Sequence, residues 1–165
     1  MGSYRHWALV VLSILLAVVP VHVTLAGVNL GEPLVVVAGR AFPSTDISFA
    51  DLKSAFAGQP VKIRGTPIIP INHPLGTPTR VEFDHTTLGL EPDAVGRYWV
   101  DMRIRDQGKP PVTATTTNLA IRVVAALAGA ISYTTRSNVL PTVKVLTVDG
   151  KSAGDRGYAL EALRH

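Results

Sequence analysis

The segment Ile71–Phe83, INHPLGTPTRVEF, contains the residues whose types and spacing most clearly permit chemistry. An apolar run is followed by Gly76, and the letters TPTR then have the pattern of a helix start. The first N–H groups of a helix lack helical partners and lie at the positive end of its dipole, so they favour an oxyanion. The pattern therefore permits an oxyanion site at this helix start, where Arg80 would add a bidentate contact and Thr77 a hydroxyl donor.

The same segment also has a purely structural interpretation. In this interpretation Thr77 caps the helix and has no other role, and Arg80 pairs with Glu82 or Asp84 in solvent. Helix starts with glycine and threonine are common, so the spacing alone leaves both interpretations open.

Other patterns that would carry catalysis or metal binding are missing from the sequence. His73 and His85 lack metal-ligand spacing and an acidic cluster, so each is predicted to be solvent-facing or hydrogen-bonded. Asp149–Ser152, DGKS, lacks the earlier glycine of a phosphate loop because Val145 stands there, and it is predicted to be a hairpin or strand-exit turn. With no nucleophile elbow and no carboxylate pair, we predict no catalytic residue, no metal site and no cofactor.

Composition and charge restrict the remaining function classes. The chain has 165 residues, of which 47% are hydrophobic and 17% charged, and this suits one domain with a real core. The formal net charge is +4, but the lysines and arginines are scattered, so nucleic acid is not a predicted partner. The absence of cysteine excludes disulfides, thiol catalysis and a lipid-modified cysteine anchor.

The N-terminus has the pattern of an export signal. A short basic start precedes the apolar run Trp7–Val23, and Thr24-Leu25-Ala26 places small residues before a cleavage point. We predict a signal peptide at residues 1–26 and a single domain at residues 27–165, located in the periplasm or secreted. A retained membrane anchor is the alternative, because the apolar run approaches the length of a short spanning helix.

Strand and helix patterns alternate after this segment. Strands are predicted at Leu34–Ala38, at Ile68–Ile71 near an edge because of Pro70, at Ala130–Thr134 and at Val143–Val148. Five helices are predicted: from a Ser48 cap to Gly58, from Thr77 to Gly89, over Pro92–Met102, from Thr115 to Gly129, and over Asp155–Leu163. In the helix from Thr115 to Gly129, the predicted apolar side carries Leu119, Val123 and Leu127. This alternation predicts an α/β domain, a three-layer sandwich with a mostly parallel sheet. Ligands of such sheets usually lie beyond the carboxyl ends of the strands, where Ile71–Phe83 is predicted to be.

Four segments, in order, resemble the phosphate-type periplasmic solute-binding proteins of bacterial import systems, in particular their short relatives. LVVVAGRAFPSTDISFADLKSAFAGQ resembles a strand, a turn and a helix ending in I-F-x-G, and IIPINHPLGTPTRVEF resembles V-P-V…G-S-x-x-R-x-x-F. YWVDMRIRDQGKPP resembles Y-W…F-x-G-x-G-x-P-P, and AGAISYTT resembles P-G-A-I-G-Y-V. The resemblance extends over Pro33–Val148, most of the chain after the signal.

The resemblance implies a single lobe of a type II periplasmic binding protein fold with an anion loop. Gly76 matches the family's glycine, Thr77 its serine and Arg80 its arginine. Ligand contacts in the family come from the loop and the first helical turn, so the resemblance implies that Gly76, Thr77, Thr79 and Arg80 bind the ligand. Pro78 stands where the family has a small residue and removes one backbone donor. The full-length transport proteins have two lobes, and this chain resembles the middle lobe alone.

These observations lead to three functions. The first is binding of phosphate or a similar small oxyanion, presented to a membrane transporter or a sensor protein. The second is a non-catalytic periplasmic protein-interaction module that keeps the lobe fold without ligand binding, and the third, ranked lowest, is an enzyme. A homodimer that joins two open faces would rebuild a two-sided cleft. Solute binding without catalysis is the prediction.

Overall fold

The computed structural model describes residues 31–161 of the chain. The predicted signal peptide at residues 1–26 therefore lies outside the described residues, and so does the end of the chain. Between residues 31 and 161, no helix is both long enough and apolar enough to cross a bilayer.

A six-stranded sheet forms the centre of the fold. The strands are β1 (Leu34–Gly39), β2 (Asp46–Ile47), β3 (Lys62–Ile63), β4 (Thr66–Pro67), β5 (Ile69–Asn72), β6 (Val112–Thr113), β7 (Ala130–Thr135) and β8 (Val143–Val148). The sheet order is β2-β8-β1-β7-β5-β6, while β3 and β4 form a separate hairpin. Only β1 runs antiparallel to its neighbours in the large sheet, which is therefore mainly parallel as predicted.

Helices cover both faces of the sheet. They are α1 (Phe49–Phe56), α2 (Pro78–Phe83) continued by a π-helical turn at Asp84–Leu88, α3 (Pro92–Ile104) and α4 (Thr117–Ala126). All six residues of β1 are buried: Val36 and Ala38 belong to the cluster that contains α1, and Val35 and Val37 to the cluster that contains α4. The alternation of β1 side chains thus builds the predicted three layers.

Helix α1 begins and ends where the sequence predicts. The Ser48 hydroxyl accepts from the Asp51 N–H at 3.0 Å and donates to the Asp51 carboxylate at 2.8 Å. Leu52 and Phe56 are buried in the core, and Gly58 follows the helix with a φ of 87°. Local capping and the position of the apolar residues agree here with the tertiary packing.

Helix α4 buries a face that matches the predicted one only at Val123, which is half-buried against the core. Leu119 and Leu127, predicted to lie on the apolar side, are 41% and 46% exposed. The buried residues are instead Ala120, Ile121 and Val124. The physical reason is the way the helix packs on β1: a Cβ at Gly39 would lie 2.7 Å from the Val124 carbonyl oxygen, and Ala120, Ile121 and Val124 belong to the same core cluster as Val35 and Val37 of that strand.

The predicted closing helix at Asp155–Leu163 is wrong over its described part. Turns replace it, with the Tyr158 N–H bonded to the Asp155 carbonyl at 3.1 Å, and Gly157 has a φ of 74° that a helix does not accept. Tyr158 and Leu160 are buried in the core, so the apolar spacing reflects packing of a turn-rich segment.

The predictions for the strand that contains Pro70 and for the turn after β8 can be compared with the structure. Pro70 lies in β5, one strand in from the sheet edge. The edge strand β6 pairs only with Ile71 and Asn72, so no strand beside Pro70 on that side requires a backbone N–H from it. Asp149 and Gly150, with φ of 51° and 72°, form the predicted turn at the exit of β8.

Candidate functional site

The predicted site lies at the carboxyl end of β5, where a short loop leads into α2. Strand β5 is parallel to both β6 and β7, so their carboxyl ends share this edge of the sheet. Gly76 has a φ of 78°, which favours glycine, and no described atom would lie within 4 Å of a Cβ there. The Thr77 N–H and hydroxyl both donate to the Pro74 carbonyl, at 3.3 and 2.9 Å, and close the loop.

The four predicted ligand residues lie in different surroundings. Gly76 is exposed, Thr77 and Thr79 are half-buried, and Arg80 is only 3% exposed. Thr77 occupies the N-cap position, but its hydroxyl bonds to the loop and not to the helix. Pro78 has no N–H and the Arg80 N–H bonds to the Thr77 carbonyl at 2.9 Å, so Thr79 supplies the first-turn N–H without an acceptor inside the helix.

The Arg80 guanidinium is engaged inside the protein at all three nitrogens. Its Nε forms an ion pair with Asp84, and its Nη1 donates to the His73 carbonyl at 3.0 Å. With the Asn72 amide oriented to satisfy its neighbours, the amide oxygen accepts from Nη1 and Nη2 at 3.1 Å. The structure therefore contains the Asp84 pairing of the alternative interpretation, although the pair is buried and not in solvent.

An aromatic stack lies beneath this pair. The Asn72 amide nitrogen donates to the Tyr133 hydroxyl at 3.0 Å. The Tyr133 ring stacks on Phe83, with centroids 3.7 Å apart, and on His73, with centroids 4.5 Å apart. Burial raises the pKa of Tyr133 well above its ordinary value, so the hydroxyl stays protonated. The stack joins β5, β7 and α2 into one unit that supports the loop.

His73 corrects the prediction of a solvent-facing or hydrogen-bonded histidine. Its side chain is fully buried, and neither ring nitrogen has a partner among residues 31–161. Burial, followed by the charge of Arg80, lowers its pKa to about 4, so the ring is neutral at pH 7. The prediction was wrong because the ring packs on Tyr133, a contact that local spacing does not reveal. His85, in contrast, is partly exposed and lies 3.2 Å from Glu91.

Asp84 is buried with only one of its oxygens satisfied. Oδ2 accepts from Arg80, whereas Oδ1 has no hydrogen-bond partner in the part of the chain that the structure describes. Burial raises the pKa of the carboxyl, and the nearby Arg80 charge opposes this shift. Residues 31–161 contain no group of three or more histidines, aspartates or glutamates placed to hold a metal ion.

Sequence reasoning did not group Asn72 and Tyr133 with Arg80. One signal was available, because Asn72 follows the buried Ile71 and must face the opposite side of the strand. Tyr133 gave no comparable signal, since it lies 61 positions from Asn72 and meets it only through the pairing of β5 with β7.

Together, the mainly parallel sheet, the helices on both faces and the strand–loop–helix edge define one lobe of a periplasmic binding protein fold. The chain is similar to an ABC-type phosphate transport receptor from Vibrio cholerae, with a TM-score of 0.60 and 14% identity over 78% of this chain and 53% of that one. It is also similar to PstS from Borrelia burgdorferi, with a TM-score of 0.59 and 12% identity over 78% and 54%. The chain thus spans about half the length of these structures. No family model and no curated protein sequence matches it. The resemblance to phosphate-type solute-binding proteins is confirmed at the level of the fold.

Proposed function

We propose that the chain is an exported solute-binding domain that holds phosphate or a similar small oxyanion at the start of α2. The observation that carries this function is the turn from β5 into α2. It places Gly76 and the free first-turn N–H of Thr79 beyond the carboxyl end of a parallel strand. Anions favour such positions because the N–H groups and the helix dipole both point toward them.

The four residues have two kinds of role in this proposal. Gly76 and Thr79 contact the anion through their backbone N–H groups and the Thr79 hydroxyl, while Thr77 closes the loop beside it, because its N–H and hydroxyl both donate to the Pro74 carbonyl. Arg80 does not contact the anion but supports the loop, since its bonds to the His73 carbonyl and to Asp84 hold the first turn of α2 against the end of β5. Because Asp84 balances the charge of Arg80, we expect weaker anion binding than a free guanidinium would give.

The setting of this site is part of the same proposal. The predicted signal peptide places the domain in the periplasm or outside the cell, where a membrane transporter or a sensor protein would receive the bound anion. One similar structure is described as a phosphate transport receptor, which supports this kind of partner. A second copy of the chain facing the open edge of the sheet would complete a cleft.

A second candidate function is a protein-interaction module that keeps the lobe without binding a solute. The observation that favours it is the engagement of Arg80, which leaves the loop without a free cationic side chain. Leu75, at the tip of the same loop, is 69% exposed and offers an apolar contact to a protein.

Calorimetric titration of the full chain with phosphate and with sulfate tests the proposed function. We expect saturable binding that the substitution Thr79→Val weakens, since it removes one hydroxyl donor from the helix start. Thr86→Val is the matched control, because Thr86 lies further along the same helical segment and should leave binding unchanged. No binding of either anion by the folded chain would contradict the proposal and favour the interaction module.

A further inference from the structure

Helix α3 has one face against the protein and an opposite face that is open. On the inner face Val95 is buried, and the Tyr98 hydroxyl donates to the Ala57 carbonyl at 3.2 Å. The outer face carries Val100 and Ile104, which are 56% and 77% exposed. Side chains four residues apart on a helix are neighbours, so these two form an apolar surface that no other part of the described chain covers.

A row of charged residues with alternating sign runs beside this apolar surface. Its members, all exposed and each four positions after the last, are Asp93, Arg97, Asp101 and Arg105. Asp93 and Arg97 form an ion pair at 3.0 Å, whereas Asp101 and Arg105 form no ion pair within residues 31–161. Rows with this spacing are ridges along which helices pack, so the row lies where a second helix would contact α3.

The order of these charges is complementary to itself when the helix is turned end for end. In an antiparallel pair of α3 helices related by a two-fold axis, Arg97 of each copy meets Asp101 of the other copy. The same axis brings Arg105 of each copy toward Asp93 of the other. A parallel pair would set like charges against each other, so the row favours the antiparallel arrangement.

The apolar side chains fit the same arrangement. Ile104 of one copy lies opposite the turn that contains Gly96 of the other, and a Cβ at Gly96 would meet no described atom within 4 Å. Gly96 therefore leaves room for the isoleucine, and Val100 lies close to the axis. A helix of 13 residues is about 20 Å long, so two of them bury a small area and we expect a weak dimer.

We propose that the outer face of α3 is a self-association surface, at which two copies of the chain pair through antiparallel α3 helices. The row has two charges of each sign, so it offers little attraction to a strongly charged partner such as an anionic membrane. A second copy, in contrast, matches both the charges and the apolar side chains. This surface differs from the open edge of the sheet, and the pairing does not depend on the proposed oxyanion function.

Sedimentation velocity of the full chain, without phosphate and at concentrations up to about 1 mM, tests this pairing. An acidic variant combines Arg97→Asp with Arg105→Asp, and a basic variant combines Asp93→Arg with Asp101→Arg. We expect the wild type to dimerise and each variant alone to dimerise about tenfold more weakly or worse, because like charges then meet. An equimolar mixture of the two variants should form a heterodimer, because their rows are complementary.

Two further variants separate the row and the apolar surface from general effects of charge. Lys53→Asp combined with Arg122→Asp is the matched control, since it changes the net charge as the acidic variant does but at exposed positions on α1 and α4. This control should dimerise as the wild type does. Ile104→Ser should weaken dimerisation by about tenfold or more, because both copies lose an apolar contact. Circular dichroism checks that every variant is folded.

Three results would overturn this assignment. The first is a wild type that stays monomeric up to about 1 mM, and the second is a mixture of the folded acidic and basic variants that stays monomeric. The third is dimerisation that the acidic and basic variants leave intact, or that the matched control weakens equally. A dimer that persists without the row would place the contact elsewhere, such as at the open edge of the sheet.

Discussion

At the scale of single residues, the buried ion pair of Arg80 and Asp84 contributes most clearly to the stability of the loop between β5 and α2. Substituting one partner leaves the other as an unpaired charge in the core, so Arg80→Met should lower the free energy of unfolding by about 3–5 kcal/mol. Urea denaturation followed by circular dichroism measures the change.

The chain offers a matched control for this substitution. Arg97 and Asp93 form an ion pair with the same four-residue spacing, but their side chains are 72% and 75% exposed. Arg97→Met should change stability by less than about 1 kcal/mol. Equal effects of the two substitutions would contradict the description of Arg80 as a buried structural cation.

His73 gives a pH dependence whose sign follows from its burial. The ring titrates near pH 4 in the folded chain and at 6.5 when unfolded, so the unfolded state binds the extra proton between these values. Stability from neutral His73 is complete above pH 6.5 and should fall by up to about 3 kcal/mol as the pH drops to 4.

Denaturation of the wild type and of His73→Phe across this pH range measures the effect. Asp84, whose pKa is raised by burial, acts in the opposite direction at the acid end, so the difference between the two proteins isolates His73. A His73→Phe profile as steep as that of the wild type would exclude His73 as its source. The partly exposed His85, changed to Phe, is the control.

At the scale of elements, two glycines with the same backbone conformation differ in their surroundings. Gly76 and Gly129 have φ of 78° and 81°, but only at Gly129 would a Cβ collide with the backbone, 2.3 Å from the Pro67 carbonyl oxygen. Gly76→Ala should cost about 1–2 kcal/mol from the left-handed conformation alone, and Gly129→Ala should cost clearly more. Thermal denaturation of both variants compares them, and the reverse order would mean that the loop at Gly76 is packed more tightly than described.

Helices and strands whose capping residues and apolar spacing agree with their tertiary packing were predictable from the sequence. Ser48 caps α1 and the apolar run of β1 is buried on both faces, because local and tertiary preferences coincide there. The buried face of α4 was not predictable, since it depends on the close approach of the helix to Gly39. The cluster of His73 with Tyr133 likewise depends on the pairing of two strands distant in sequence.

At the scale of the whole molecule, the chain corresponds to about half the length of the receptors that share its fold. An anion at the edge of a single lobe remains in contact with water, and salt screens charges at such a surface effectively. We therefore expect phosphate affinity to fall several-fold between roughly 0.05 and 0.5 M sodium chloride. Calorimetry at several salt concentrations measures this, and affinity independent of salt would instead indicate an enclosed site, such as one completed by a second copy.

The most direct test of the central claim is an amide-resolved NMR titration of the full chain with phosphate. Binding at the start of α2 predicts saturable shifts that are largest at the Gly76, Thr77 and Thr79 amides. Saturable shifts centred elsewhere, or none at all in a folded sample, would contradict the assignment of an oxyanion site to this loop.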